Sequence, residues 1–226
     1  MSRAEIFSNI RRGLGRKGHN GEASAEQKLA VQNRLNAHAD NLIPQRAQLP
    51  HDEQVALFKT MAREAVAELL ELNSIEDVPQ ACADWLKARH IDQLISASNV
   101  EINSLDWSPL GDIERLERVA QAGDIASLTC SFAGIAETGT LMLHSQASSP
   151  TTLNFLPDNH LVILKRSTIV GVYEEAWKKL RRTFEGKLPR TVNMITGPSR
   201  SADIEQKLQM GAHGPKTLVI LLINDA

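Results

Sequence analysis

The sequence predicts an α/β protein: an open, Rossmann-like, mostly parallel sheet covered by helices and preceded by an α-helical extension. Three observations predict it. From about residue 125 onward, short apolar runs (SLTCSF, GTLML, LVILK, TVNMIT, TLVILLI) alternate with helical patterns, which is the order that builds a parallel sheet with helical crossovers. LVILK, at 161–165, follows the turn residues LPDNH and reads as a buried strand. Ahead of that region the chain is helical and rich in alanine. The expected division is therefore a helical extension over 1–74 and an α/β domain over 75–226, within a chain of 226 residues.

The elements follow in order. Ile6, Ile10 and Leu14 recur at four-residue spacing beside Phe7, with Arg3, Arg11, Arg12, Arg16 and Lys17 around them. That is a short basic amphipathic helix. It either packs on its own domain or docks a partner or an anionic surface. Gly13, Gly15 and Gly18 spell a formal GxGxxG, but it follows a helix instead of a strand, so it lacks the context of a dinucleotide fingerprint. Residues 23–40 read as a second helix. A third starts after Pro50, with Asp52 and Glu53 at its positive end and Phe58, Met61, Ala62, Ala65, Val66 and Leu69 as its core stripe. Ser74 is placed to cap a fourth, over roughly 75–89. DQLISAS is a short strand, IVGVYEEAWKKLRRTF an amphipathic helix, SADIEQKLQM another, and TLVILLI the final strand.

Composition narrows the function classes. Charged residues make up 23% and balance to a formal charge of −2, so no bulk field attracts nucleic acid. Aromatics are 4%, too few to supply stacking platforms for single strands. Cys82 and Cys130 are isolated; they form no CxxC motif, cannot ligate an iron–sulfur cluster alone and suggest no disulfide framework. A reducing, cytoplasmic setting is expected. No run approaches the roughly 18 apolar residues of a membrane span, and MSRAEIFSNIRRGLGRKG lacks the apolar core of a secretory signal.

Three constellations could carry chemistry. The first is AGIAETGTLML, where Glu137, Thr138, Gly139 and Thr140 interrupt an apolar run. A buried carboxylate is costly unless paired or hydrogen-bonded. Glu137 could serve as base, acid or carboxylate nucleophile, or as a structural clamp satisfied by neighbouring amides and hydroxyls. Gly139 lets the backbone turn or approach a ligand closely. The second is MITGPSRSADIE, a strand running through a turn into a helix. There Ser199 or Ser201 would cap, the free amides would face an anion and Arg200 would add a fork-like contact. Asp203 and Glu205 offset the positive end of that helix, so plain capping accounts for the pattern equally well. GPSRS has Ser201 where a nucleophile elbow needs glycine, which argues against a serine hydrolase. The third is histidine: His144 after GTLML, His160 entering a buried strand, and His213 before the last strand. Ligands of α/β sheets collect outside the carboxyl ends of the strands; His160 and His213 precede their strands, which points to the opposite edge, and locally hydrogen-bonded histidines account for them without a site. No spacing marks a metal site.

AGIAETGTLML, LPDNHLVIL and GPSRSADIEQKLQMGAHGPKTLVILLI, in this order, closely resemble the LUD domain family over about 125–226, and MSRAEIFSNIRRGLGR resembles the start of such chains. The resemblance implies a fold similar to the NagB/RpiA/CoA-transferase group. It also implies work alongside iron–sulfur partner subunits in oxidising L-lactate to pyruvate. The clusters are expected on those partners, with no cofactor in this chain. By analogy with CoA-transferase-like folds, Glu137 is the candidate reactive carboxylate. The expected pocket joins Glu137, Thr138, Gly139 and Thr140 with Ser199, Arg200, Ser201, Asp203 and the histidines His160 and His213, around a small carboxylate or phosphorylated ligand. The competing reading is an autonomous enzyme of CoA-transferase or sugar-phosphate-isomerase type acting through Glu137. A homo-oligomer is compatible with either.

Overall fold

The computed structural model describes residues 2–15, 23–40, 42–201 and 209–225. It divides into two compact units, Met1–Leu42 and Ile43–Ala226. The first unit holds α1 (Arg3–Gly13) and α2 (Ala25–Ala37). Each starts with a reciprocal capping box, Ser2 with Glu5 and Ser24 with Gln27, which satisfies two free amides at each helix start. The stripe Ile6, Phe7, Ile10 and Leu14 is exposed on α1.

The second unit begins with α3 (His51–Glu64), which buries Val55, Phe58 and Ala62. The helix expected to continue to Leu69 stops at Glu64 instead. Val66 is left-handed at φ 67°, its N–H donates to Arg63 O at 2.9 Å, and Ala67 N–H donates to Ala62 O at 3.0 Å. This is a Schellman end with valine where glycine is usual. Chain reversal there lets Glu68–Leu72 form β1, a strand inside the stretch read as wholly helical.

After a 3₁₀ turn over Ile75–Asp77, in which Ser74 N–H donates to Asp77 Oδ2 at 3.0 Å, come α4 (Val78–Lys87), β2 (Gln93–Ser96), α5 (Val100–Asn103) and β3 (Glu114–Glu117). There follow β4 (Ala126–Cys130), β5 (Ala133–Ile135), β6 (Thr140–His144), β7 (Asn159–Lys165) and β8 (Ile169–Val170). α6 (Tyr173–Thr183), β9 (Val192–Ile195), β10 (Arg200–Ser201), β11 (Gln209–Met210) and β12 (Thr217–Ile223) complete the described elements.

The parallel sheet is as expected: six strands in the order β1-β12-β7-β4-β2-β3, every neighbouring pair parallel. GTLML is not part of it. β5 and β6 are joined by only four residues, too few for a parallel crossover. They therefore form an antiparallel hairpin in a second sheet of order β8-β5-β6-β9. The helix expected over SADIEQKLQM falls largely outside the described residues; its two ends pair as the ribbon β10–β11, Arg200 opposite Met210 and Ser201 opposite Gln209.

Three apolar clusters set the layers. Val219, Leu221, Leu161 and Ile163 pack with α4 on one face of the large sheet. Leu218, Ile220, Val162 and Leu164 pack on the other with α3 and with Leu141 and Leu143 of β6. A third cluster joins Ala133, Ile135 and Met142 of the small sheet to Ala176 and Leu180 of α6. β12 is thus buried on both sides, which is why it reads as an unbroken apolar run. Each fully buried Leu or Ile there contributes about 1.5–3 kcal/mol.

Candidate functional site

The β5–β6 turn carries the first constellation. Glu137 is buried, and its Oε1 accepts from the backbone N–H of Tyr173 at 3.2 Å. Tyr173 is the first residue of α6, so the carboxylate sits on the positive end of that helix. Glu137 N–H in turn donates to Gly171 O at 3.0 Å. Here is the physical account of a carboxylate inside an apolar run: it satisfies a helix amide contributed from another part of the chain. Gly139 does approach a backbone closely, but the neighbour is α3. At φ +65°, an added Cβ would stand 2.3 Å from Ala62 N.

Thr138 and Thr140 point at hydroxyls. Thr138 Oγ1 lies 2.7 Å from Thr140 Oγ1 and 3.0 Å from the hydroxyl of Tyr173, the only tyrosine of the chain. Thr140 Oγ1 lies 2.9 Å from Tyr173 and 2.6 Å from Thr196 Oγ1. Thr196 stands between β9 and Gly197, in the second constellation. There Ser199 N–H donates to Pro215 O at 2.9 Å, and Ser199 Oγ accepts from His213 N–H at 3.3 Å. The MITGPS turn and the loop before β12 are thereby fastened together.

Between them opens a pocket of about 250 Å³. His160, Ser199 and His213 line it, with Asn154, Phe155, Met194, Thr196 and Leu218. It lies at the amino ends of β7 and β12, where His160 and Leu218 are register partners; His160, expected ahead of its strand, is the second residue of β7, and His213 stands in the loop before β12. His160 is wholly buried; its Nε2 lies 2.8 Å from Thr129 Oγ1, and burial drives its pKa down from 6.5 to about 3. The ring is neutral at physiological pH. No lysine or arginine lines this pocket among the described residues.

The expected residues therefore fall into two groups. His160, Ser199 and His213 meet at the pocket. Glu137, Thr138 and Gly139 lie in the hairpin turn and Thr140 begins β6; none of the four lines the pocket, and Thr140 meets its wall through Thr196. Arg200 is exposed on β10, and Ser201 is half-buried beside it. Asp203 lies outside the described residues. Asn154, Thr129, Thr196 and Tyr173 were not singled out from sequence; TTLN and MIT show no motif, and only the uniqueness of Tyr173 was available as a signal.

A second hollow, of about 310 Å³, lies at the carboxyl ends of β1 and β12. Its cations are already matched: Arg166 Nη2 is 2.6 Å from Asp52 Oδ1, and Lys59 Nζ is 2.7 Å from Glu71 Oε2. One Arg166 N–H, at Nε, is buried without a partner among the described residues, but the head group is otherwise engaged. The free thiols are not poised for chemistry. Burial pushes both Cys82 and Cys130 up to about 12, and Cys130 Sγ accepts from Asn99 Nδ2 at 3.3 Å on the edge of the core. His144 is wedged edge-on between Phe132 and Phe184, where partial burial lowers its pKa. Among the described residues, no three His, Cys, Asp or Glu side chains cluster as metal ligands would, and no helix is long and apolar enough to cross a membrane.

The model of the LUD domain matches residues 54–223. The chain belongs to the LUD domain family. Among LUD relatives, lactate utilization protein C of Shouchella clausii strain KSM-K16 is 35% identical over 119 residues, covering 51% of this chain and 52% of that protein. The same name is carried by a Macrococcus caseolyticus strain JCSC5402 protein, 33% identical over 121 residues, 53% of this chain and 52% of that one. The matched segment thus spans about half the length of these relatives. The uncharacterized protein YkgG of Escherichia coli strain K12 is similar along 99% of both chains, at 26% identity. A crystal structure of a DUF162 family protein from Deinococcus radiodurans shares the fold, with a TM-score of 0.59 at 20% identity over 77% of this chain and 99% of that one.

Proposed function

We propose that this LUD-domain chain acts in lactate utilization, as a protein C-type subunit beside iron–sulfur partner proteins that oxidise L-lactate to pyruvate. The observation that carries this reading is the LUD match over 54–223, shared with relatives named lactate utilization protein C. In this reading the clusters reside on the partners in the cytoplasm, and this chain contributes ligand binding or assembly instead of redox turnover of its own. Two scattered, strongly desolvated thiols suit that division of labour.

The binding surface proposed is the amino-edge pocket. A small carboxylate would sit with its frame against the apolar wall and its charge toward the mouth, near His213 and one residue from Arg200. A phosphorylated ligand is less well served, because no lysine or arginine among the described residues lines the interior. Glu137, held to the start of α6, acts in this reading as a clamp for the wall and not as the reacting carboxylate.

The test is a pull-down of the tagged full chain from lactate-grown cells, reading copurifying proteins and cluster absorbance, alongside a deletion strain. Recovery of iron–sulfur proteins, and loss of lactate-dependent growth restored by the wild-type chain, is the expected result. A chain that comes down alone, from a strain whose deletion still grows on lactate, sinks the reading.

A further inference from the structure

Two polar atoms at the amino-edge pocket have no partner among the described residues: Nδ1 of His160 and Oδ1 of Asn154. Both residues line the pocket, and they are only 0% and 4% exposed. Leaving a buried donor or acceptor unmatched costs about 1–3 kcal/mol, so two on one wall are a standing cost that a bound group would remove.

Their chemistry restricts that group. The Asn154 carbonyl oxygen only accepts, so its partner must donate. The neutral His160 ring is fixed at Nε2 by Thr129, and Nδ1 offers one further hydrogen bond. It accepts if Nε2–H donates to Thr129, and it donates if the threonine hydroxyl does. A hydroxyl group meets both demands, since it donates once and accepts as well. The remaining wall is largely apolar, through Phe155, Met194 and Leu218. A volume of about 250 Å³ lies below the range of roughly 300–1,000 Å³ usual for drug-sized ligands, so the occupant is small.

We propose that this pocket takes a small hydroxyl-bearing organic molecule, whose hydroxyl donates to Asn154 Oδ1 and bonds His160 Nδ1 while its carbon frame lies against the apolar wall. The inference rests on the pocket being the binding site and goes beyond it by naming the group that is read. Thr196, on the same wall, is the second polar contact. Its hydroxyl can accept from Thr140 and turn its own proton inward.

Two probe pairs that differ only by the hydroxyl test this on the full chain: L-lactate against propanoate, and lactamide against propanamide. Binding is followed by the imidazole ¹⁵N resonances and by titration calorimetry. At least one hydroxylated probe should move the His160 resonance and bind about tenfold or more tighter than its partner. Asn154→Leu, checked for folding by circular dichroism, should bring that probe down to the level of its hydroxyl-free partner. The wild-type comparison stands whether or not this variant folds. If both members of a pair move His160 and bind equally, hydroxyl recognition is wrong although the pocket binds. If no probe moves His160 and a long-lived internal water bridges the two atoms, both this inference and the pocket reading fail.

Discussion

The hydroxyls of Thr140 and Thr196 lie 2.6 Å apart, and this contact ties the Glu137 turn to the pocket wall. Four hydroxyls, on Thr138, Thr140, Tyr173 and Thr196, make four contacts, so their protons just suffice for the set. Either Thr196 donates to Thr140 and all four contacts carry a proton, or Thr140 donates to Thr196, one contact among Thr138, Thr140 and Tyr173 goes without a proton, and that of Thr196 is left for the pocket. A ligand accepting from Thr196 would select the second arrangement, which couples the hairpin turn to occupancy of the pocket without moving the backbone.

Thr140 is the hub of this set and is wholly buried, whereas Thr138 is half-buried. Thr140→Val keeps the shape and removes one contact from each of three neighbouring hydroxyls. It should lower unfolding free energy by about 1–3 kcal/mol, while Thr138→Val should cost under about 1 kcal/mol. Urea denaturation of both variants measures this. Equal and negligible losses would show that the hydroxyls merely pack.

At the end of α3 the fold holds a valine in a left-handed conformation, a genuine outlier for a β-branched residue. The residue is 56% exposed, so little packing is lost by removing its side chain. Val66→Gly should therefore raise stability by about 1 kcal/mol, the relieved strain exceeding the added entropy of the unfolded chain. A lower thermal midpoint for the glycine variant would contradict this account of how α3 ends.

Much of the large sheet was legible because its strands announce themselves. LVILK and TLVILLI are apolar runs bounded by turns, and their buried place between two layers makes them so. β1 was not legible: ELLEL has helical composition, and the break before it depends on Val66, which carries none of the glycine signal of a helix end. β3 was also missed, because ERLE at the sheet's edge shows little apolar patterning. His160, His213 and Ser199 were singled out in the sequence, and the pocket brings these three together. For Glu137 the sequence left a clamp and a reactive carboxylate both open, and the partner of the carboxylate was not legible, since the amide comes from Tyr173, 36 residues later. Asn154 ends a short 3₁₀ helix and Thr196 opens the loop after β9, and only the sheet order brings the two together.

Glu137 separates a clamp from a catalyst by a paired substitution. Glu137→Gln keeps an acceptor for the Tyr173 amide and should cost under about 1 kcal/mol; Glu137→Ala leaves that amide unmatched at the start of α6 and should cost about 1–3 kcal/mol. Denaturant midpoints give the stabilities, and lactate-dependent growth gives the function. A Gln variant as stable as wild type that cannot support growth would return Glu137 to a chemical role.

His160 makes folding stability depend on pH with a definite sign. Burial depresses its folded pKa from 6.5 to about 3. Below pH 6.5 the unfolded chain takes up a proton that the folded chain refuses. Stability is therefore full above 6.5 and declines as the pH falls toward 3. At about 1.4 kcal/mol per pH unit, the loss from this one residue reaches about 2 kcal/mol by pH 5. His144, lowered by partial burial, adds to the same trend. Urea denaturation at a series of pH values should give this slope for the wild type. His160→Gln, which retains a group for the Thr129 hydroxyl and does not titrate, should show a shallower one. If the two slopes coincide between pH 6.5 and 5, the imidazole is not held neutral in the fold. The pocket would then present a cation to its ligand, and a carboxylate, not a hydroxyl, would be the group drawn to it.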